Sequence, residues 1–193
     1  GAPHGPAGPR CGPGVVVLAA PEDVAALAGC TRAAGLVIRS GARIDTAPLG
    51  ALAAIDGDLA IGPTIAVDEV RLDGLTSIGG ALRVERDGAL TGLYLPRLQR
   101  AGRIEIAGNY ALATVAMPQL AQVSGDLAIT DDTALGLYDA SALAQVGGAL
   151  TIASVPKLSL VMLPHLGSAG SVRIERAPAL PPEVAAALHA AAR

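Results

Sequence analysis

The sequence predicts a mainly β protein: a helix-poor parallel β-solenoid of about seven coils, each 22–23 residues long, closed by a short helical cap at either end. Three observations predict it. A motif Gly-x-[Leu/Ile/Val]-x-[Ile/Val] recurs at Gly57–Ile61, Gly80–Val84, Gly102–Ile106, Gly125–Ile129, Gly148–Ile152 and Gly170–Ile174, with Leu36 and Ile38 opening the series. The leading apolar positions 36, 59, 82, 104, 127, 150 and 172 are 23, 23, 22, 23, 23 and 22 residues apart. Further apolar columns repeat in the same phase. One is Ile44, Val67, Leu90, Leu112, Leu135, Leu158 and Leu180; a second is Leu52, Leu75, Leu98, Leu120, Leu143 and Leu166; a third is Leu49, Leu72, Leu95, Met117, Ala140 and Leu163.

A unit this short cannot bury its own apolar side, so each coil must bury it against its neighbours. Within each motif the apolar residues alternate. Leu59 and Ile61 point inward and Asp58 and Ala60 outward, as in a short strand. The period leaves no room for a strand and a long helix in one coil, and Pro96, Pro118 and Pro164 in the turns oppose helix as well. Half of the residues are apolar, yet there is no Trp or Phe and only three Tyr, so Leu, Ile, Val and Ala must fill the core. The two shortened coils lose a residue between Leu98 and Ile104 and between Leu166 and Val172, which predicts a surface corner that tolerates deletion. The many glycines are ascribed to tight corners requiring positive φ.

Taken in chain order, residues 1–10 are a Gly/Pro-rich flexible tail and 11–193 one domain: an N-terminal cap at 11–35, repeats at 36–180 and a C-terminal cap at 181–193. In the front cap, Val15-Val16-Val17 reads as an abbreviated strand. Pro21-Glu22-Asp23 starts a short helix with a ring and two acids in its first turn, and Gly29 ends it. At the back, Pro181-Pro182-Glu183 starts a helix that sets Leu180, Val184 and Leu188 on one face. Cys11 and Cys30 flank the front helix and are expected to form a disulfide, closing a loop of about 20 residues that stabilises by roughly 3 kcal/mol. Two free buried thiols are the alternative. A disulfide would require an oxidising compartment.

The segments Cys11, Asp23-Val24, Leu27, Cys30-Thr31 and Gly35-Leu36-Val37-Ile38, followed by repeated Gly-x-Leu-x-Ile and Leu-Pro-x-Leu, resemble a receptor L domain over roughly residues 11–180. Such domains form ligand-binding lobes of insulin and epidermal growth factor receptors, and related repeats occur in fungal cell-wall and bacterial surface proteins. The resemblance implies a right-handed parallel β-helix and an extracytoplasmic location in the periplasm, on the cell surface or in secretion. The Ala- and Arg-rich composition suits a bacterial protein, for which the resemblance implies a place on the surface or in the periplasm. Two departures stand out: the C-terminal cap lacks cysteine, and Asn109 is alone at a turn where relatives often repeat asparagine, with Asp87 and Asp132 in the equivalent place.

No residue pattern points to catalysis, a cofactor or a metal. His4, His165 and His189 form no ligand pair, and His165 sits at a variable polar position expected to be solvated. Ser154-Val155-Pro156-Lys157 has the spacing of an acyl-transfer motif but falls in a coil turn, not at a helix start. Asp131-Asp132 lacks the rest of a calcium loop and is read as an exposed turn. The net charge of −3 and the scattered Lys and Arg argue against a nucleic-acid partner, and no apolar run is long enough to span a membrane.

The expected function is non-catalytic binding or adhesion toward an unidentified protein or glycan, with an envelope spacer or scaffold as the alternative. A lipid anchor upstream of Gly1 is compatible with either, and the chain is expected as a monomer or weak lateral dimer. The candidate recognition patch is the charged outward face Arg83, Glu85, Arg103 and Glu105, with Tyr94 and Tyr110 supplying nearby apolar area. Arg83 is expected beside Glu105 one coil away.

Overall fold

The computed structural model describes residues 8–193, and its strands stack coil upon coil in two parallel sheets. The larger sheet holds β1 (Val15–Leu18), β2 (Arg32–Ala33), β3 (Gly35–Ile38), β4 (Ala54–Ile55), β5 (Leu59–Ile61), β7 (Ser77–Glu85), β9 (Arg100–Ala107), β11 (Gln122–Val123), β12 (Leu127–Thr130), β14 (Gln145–Ala153) and β16 (Ser168–Glu175). The smaller holds β6 (Glu69–Arg71), β8 (Gly92–Tyr94), β10 (Thr114–Ala116), β13 (Leu137–Asp139) and β15 (Leu160–Met162). Each strand pairs in parallel with its equivalent one coil away: Leu36 with Leu59, Leu59 with Leu82, Leu82 with Ile104, Ile104 with Leu127, Leu127 with Leu150 and Leu150 with Val172.

The core is one continuous aliphatic stack. The column from Ile44 to Leu158 and the column from Leu49 to Ala140 are buried throughout, and burial weakens only at the last coil, where Leu166 and Val172 are partly exposed. Two further columns run inside. One is Ala33, Ile55, Ile78, Ala101, Val123, Val146 and Ala169; the other is Val70, Leu93, Val115, Tyr138 and Val161, in which Tyr138 is fully buried.

The glycines serve a different purpose from the one expected. Gly57, Gly80, Gly102, Gly125, Gly148 and Gly170 do not have positive φ; positive φ falls on Gly12, Gly29, Gly62 and Gly108 and on four non-glycines, Arg86, Asp131, Ser154 and Arg176. The motif glycines stack on one another so closely that a side chain would strike the preceding coil. A Cβ on Gly57 would lie 2.7 Å from the Ala34 carbonyl oxygen, and one on Gly125 2.9 Å from that of Gly102.

The shortened coils also need correction. Their missing residue is not in a corner loop but inside a continuous strand. Register shifts between Ile78 and Ala81 and between Val146 and Ala149, so that Gly79-Gly80 of β7 faces the single Gly102 of β9 and Gly147-Gly148 of β14 faces the single Gly170 of β16. These are β-bulges. An aspartate of the preceding coil braces each one: Asp58 Oδ1 accepts the Ala81 N–H at 2.8 Å, and Asp126 Oδ1 accepts the Ala149 N–H at 2.8 Å.

Helix α1 (Pro21–Ala26) packs on β1, and Asp23 Oδ2 accepts the N–H groups of Ala19 and Ala20 at 2.8 and 2.9 Å, tying down the helix entry. Helix α2 (Pro182–Ala190) covers the last coil through buried Leu188 and half-buried Val184, and the Ala169 N–H donates to the Ala191 carbonyl just beyond it. Cys11 and Cys30 are disulfide-bonded and buried. Of the expected flexible tail, residues 1–7 lie outside the described residues. Pro9 and Arg10 are instead held in place: the Thr31 N–H donates to the Pro9 carbonyl at 2.8 Å, and the Arg10 and Arg32 guanidinium groups both bind Asp56, at 3.2 and 2.7 Å.

The disulfide ties together two segments that are 19 residues apart in sequence. Replacing both cysteines by serine is expected to cost about 3 kcal/mol of stability, read as an earlier unfolding midpoint in urea. An unchanged midpoint would mean that packing of α1 alone holds the cap.

Candidate functional site

The proposed patch residues occupy three places. Arg83, Glu85, Arg103 and Glu105 share the outer face of the larger sheet, where β7 and β9 place Arg83 opposite Glu105 in register. Their ion pairs run otherwise: Arg83 reaches back to Asp58 at 3.5 Å, and Arg103 pairs with Glu105 of its own strand at 3.6 Å. Arg83 and Arg103 are exposed and Glu85 and Glu105 half-buried at the surface, where such pairs contribute about 0–1 kcal/mol. Beyond Glu105 the same column reads Ala128 and Thr151 and then Arg173, which pairs with Glu175 at 2.8 Å, so two uncharged coils separate the charged face of the middle coils from a second charged pair in the last coil. Tyr94 is not part of it. It belongs to the smaller sheet, half-buried, with the Arg71 guanidinium 4.7 Å from its ring centre. Tyr110 is 70% exposed and stands at a corner of the solenoid.

That corner was not foreseen as a site. It is formed where each coil leaves its long strand through a left-handed residue: Arg86, Gly108, Asp131, Ser154 and Arg176 in successive coils. Along it lie three depressions. The first is lined by Arg39, Pro63, Arg83, Glu85 and Arg86; the second by Glu85, Arg86, Gly108 and Asp131; the third by Gly108, Tyr110, Asp131, Ser154 and Arg176. Shared walls at Glu85–Arg86 and at Gly108–Asp131 join them into one groove, roughly 30 Å long at about 4.8 Å per coil. Arg39 and Arg86 have no carboxylate partner within 4 Å among the described residues. At the far end, Arg176 donates through Nε to Ser154 Oγ at 2.7 Å, so the serine of the Ser-x-x-Lys sequence is an arginine acceptor on the groove wall. His165 is exposed as expected, its Nδ1 2.8 Å from the Ser141 carbonyl oxygen.

Directly beneath the groove runs a buried polar row. The Thr64 N–H and hydroxyl both donate to Asp87 Oδ1 at 3.0 Å; the Asp87 N–H donates to Asn109 Oδ1 at 3.1 Å; the Asn109 N–H and Nδ2 both donate to Asp132 Oδ1 at 2.9 Å. Each side chain thus takes a backbone N–H that its neighbour coil leaves unpaired at the corner. Asp132 corrects the reading of Asp131-Asp132 as an exposed turn: Asp131 is exposed, but Asp132, like Asp87 and Asn109, is fully buried. The reason is geometric. The left-handed residue turns the chain through the corner, and the residue after it points into the coil. Burial pushes the carboxyl of Asp87 up to about 6, against the opposing hydrogen bonds from Thr64. Burial likewise pushes Asp132 up to about 6, opposed by Asn109 and reinforced by the charge of Asp131.

Among the described residues no group of His, Cys, Asp and Glu side chains is arranged to hold a metal ion, and no helix is long and apolar enough to cross a membrane. Compared with known proteins, the chain matches no family model, no curated protein and no solved structure, so its classification rests on architecture: a parallel β-solenoid of about seven turns with a disulfide-pinned cap.

Proposed function

We propose that this protein is a non-catalytic binding or adhesion module of the receptor L type, working outside the cytoplasm, with the corner groove as its contact surface. The observation that carries the reading is the continuity of that groove over successive coils, with unpaired Arg39 and Arg86 at one end and the open ring of Tyr110 further along. Guanidinium groups offer paired donors to carboxylate, sulfate or phosphate oxygens, and an exposed phenol ring offers a flat apolar face. Together they suit a ligand that sets its anionic groups at the Arg39–Arg86 end and an apolar face on Tyr110, such as an acidic glycan, with the Glu85 and Asp131 carboxylates between them left to accept from its hydroxyls. The disulfide supports an oxidising location.

The test is an array of acidic and neutral glycans probed with the wild type and with Arg86→Glu and Tyr110→Ala. Each substitution should weaken binding at least about tenfold while leaving the unfolding midpoint in place, because surface changes of this kind shift stability by only about 0.5 kcal/mol. Binding that survives both changes would remove the groove from the reading. An array with no binder, together with no partner cross-linked in cells, would favour the envelope spacer. Location is tested separately. Protein from the envelope or secreted fraction should be about two daltons lighter before reduction than after, as a disulfide requires; free thiols on a cytosolic protein would reject the compartment.

A further inference from the structure

Asn109 shows what the buried row demands of its members. Its Oδ1 accepts the Asp87 N–H, and its Nδ2 donates to the Val84 carbonyl oxygen at 2.9 Å as well as to Asp132 Oδ1. One arm of the side chain must accept and the other must donate. Asp87 and Asp132 stand at the same place in the neighbouring coils, and their Oδ1 atoms accept just as that of Asn109 does. Where Asn109 puts an N–H, however, the aspartates put an oxygen, and Oδ2 of both is buried with no hydrogen-bond partner. Strand register makes the carbonyls of Ile61 and Ile106 the counterparts of the Val84 carbonyl. An ionised Oδ2 in the place of the Asn109 amide would set acceptor against acceptor; a protonated Oδ2–H is a donor and would complete the pattern.

We propose that Asp87 and Asp132 are held as neutral acids in the closed corner, each donating its proton where Asn109 donates its amide, so that the corner beneath the groove tightens in mildly acidic surroundings and loosens as the protons leave. The groups around them agree with this. Thr64 and Asn109, which flank Asp87, are neutral, and the adjacent Glu85 and Arg86 side chains line the surface groove. Asp132 lies between Asn109 and the apolar Val155, and the charged group acting on it is Asp131, whose carboxylate also opposes ionisation. Among the described residues no cation pairs with either carboxyl. The direction follows from linkage: a carboxyl that binds its proton more tightly folded than unfolded stabilises the fold fully below the ordinary carboxylate range, and that stability is lost as pH rises through the folded value. With both carboxyls raised from 3.8 to about 6, each should lower the folding equilibrium constant on the order of 100-fold between acid and pH 8. The proposal concerns the corner itself and holds whatever the groove binds.

The experiment pairs a carbon-13 NMR titration of the aspartate carboxyls in the wild type with urea unfolding from pH 4.5 to 8 of the wild type, Asp87→Asn, Asp132→Asn and the double variant. Two carboxyls titrating near 6 are expected, each lost in the corresponding variant. Unfolding midpoints of the wild type should fall with rising pH, while the double variant should show a flat profile and exceed the wild type at pH 8. Carboxyls that all titrate in the ordinary range, or a double variant whose pH profile matches the wild type, would overturn the proposal. If a variant does not fold, the wild-type titration decides alone.

Discussion

Gly102→Ala is expected to be among the most damaging single methyl additions in this protein. The added Cβ would lie 2.6 Å from the Gly79 carbonyl oxygen and 2.7 Å from that of Gly80, both backbone atoms fixed in the neighbouring strand. No side chain can swing aside to relieve this. The coils must part locally, and the inter-coil hydrogen bonds around the bulge must stretch. We expect a loss of about 3 kcal/mol or more, the upper end for overpacking in a rigid site. In a domain of this size that lowers the thermal midpoint by about 6–12 °C. Gly41→Ala is the control: it has open space and no positive φ, and should change stability by less than about 0.5 kcal/mol. Equal effects at the two positions would show that the stacked glycines are there for some reason other than close backbone approach.

A second large effect is expected at Tyr138, the one aromatic side chain fully inside the stack. In register it sits between Val115 and Val161, where other coils carry only aliphatic residues. Tyr138→Ala should cost about 3–5 kcal/mol, because neighbouring coils locked by backbone pairing cannot collapse into the space. Tyr138→Phe should do almost nothing. The phenol hydroxyl reaches only Met117 Sδ at 3.6 Å, a weak acceptor, and burial pushes its ionisation well above the usual range. Removing the hydroxyl therefore gives up little and relieves the cost of burying it. A loss above about 1 kcal/mol in the phenylalanine variant would reveal a hydrogen bond of real strength.

These two sites mark where the repeat could be read and where it could not. A constant period shows that equivalent residues stack, so the coil count, the long apolar columns and both caps were legible from residues such as Leu59, Leu90 and Pro182. It does not show which way the chain turns between one face and the next. Tyr94 is close to Arg83 in sequence yet lies on the other sheet, and Asp132 follows an exposed aspartate yet points inward. The column ending in Val161 was hidden for a related reason: its strands are only three residues long, too short for alternation to be seen, and Tyr138 interrupts its aliphatic character. The groove depends on left-handed backbone at Arg86, Asp131, Ser154 and Arg176, and of these only aspartate is a residue type that favours the conformation. The Gly-Gly pairs were visible, but their meaning as bulges required the pairing partner.

The parallel stacking order has a mechanical consequence. The front strand β1 and the final helix α2 lie at opposite ends of the stack, so tension applied through the two chain ends acts along its axis. The hydrogen bonds between its parallel strands run from coil to coil, slanted but with their main component along the same axis. Such a load does not shear the sheets; it opens them like a zipper, peeling one coil before the next feels the full strain. The Cys11–Cys30 bond passes force directly across the front cap, leaving residues 12–29 out of the load path. Under pull, this solenoid is a soft extensible element that yields in increments of one coil.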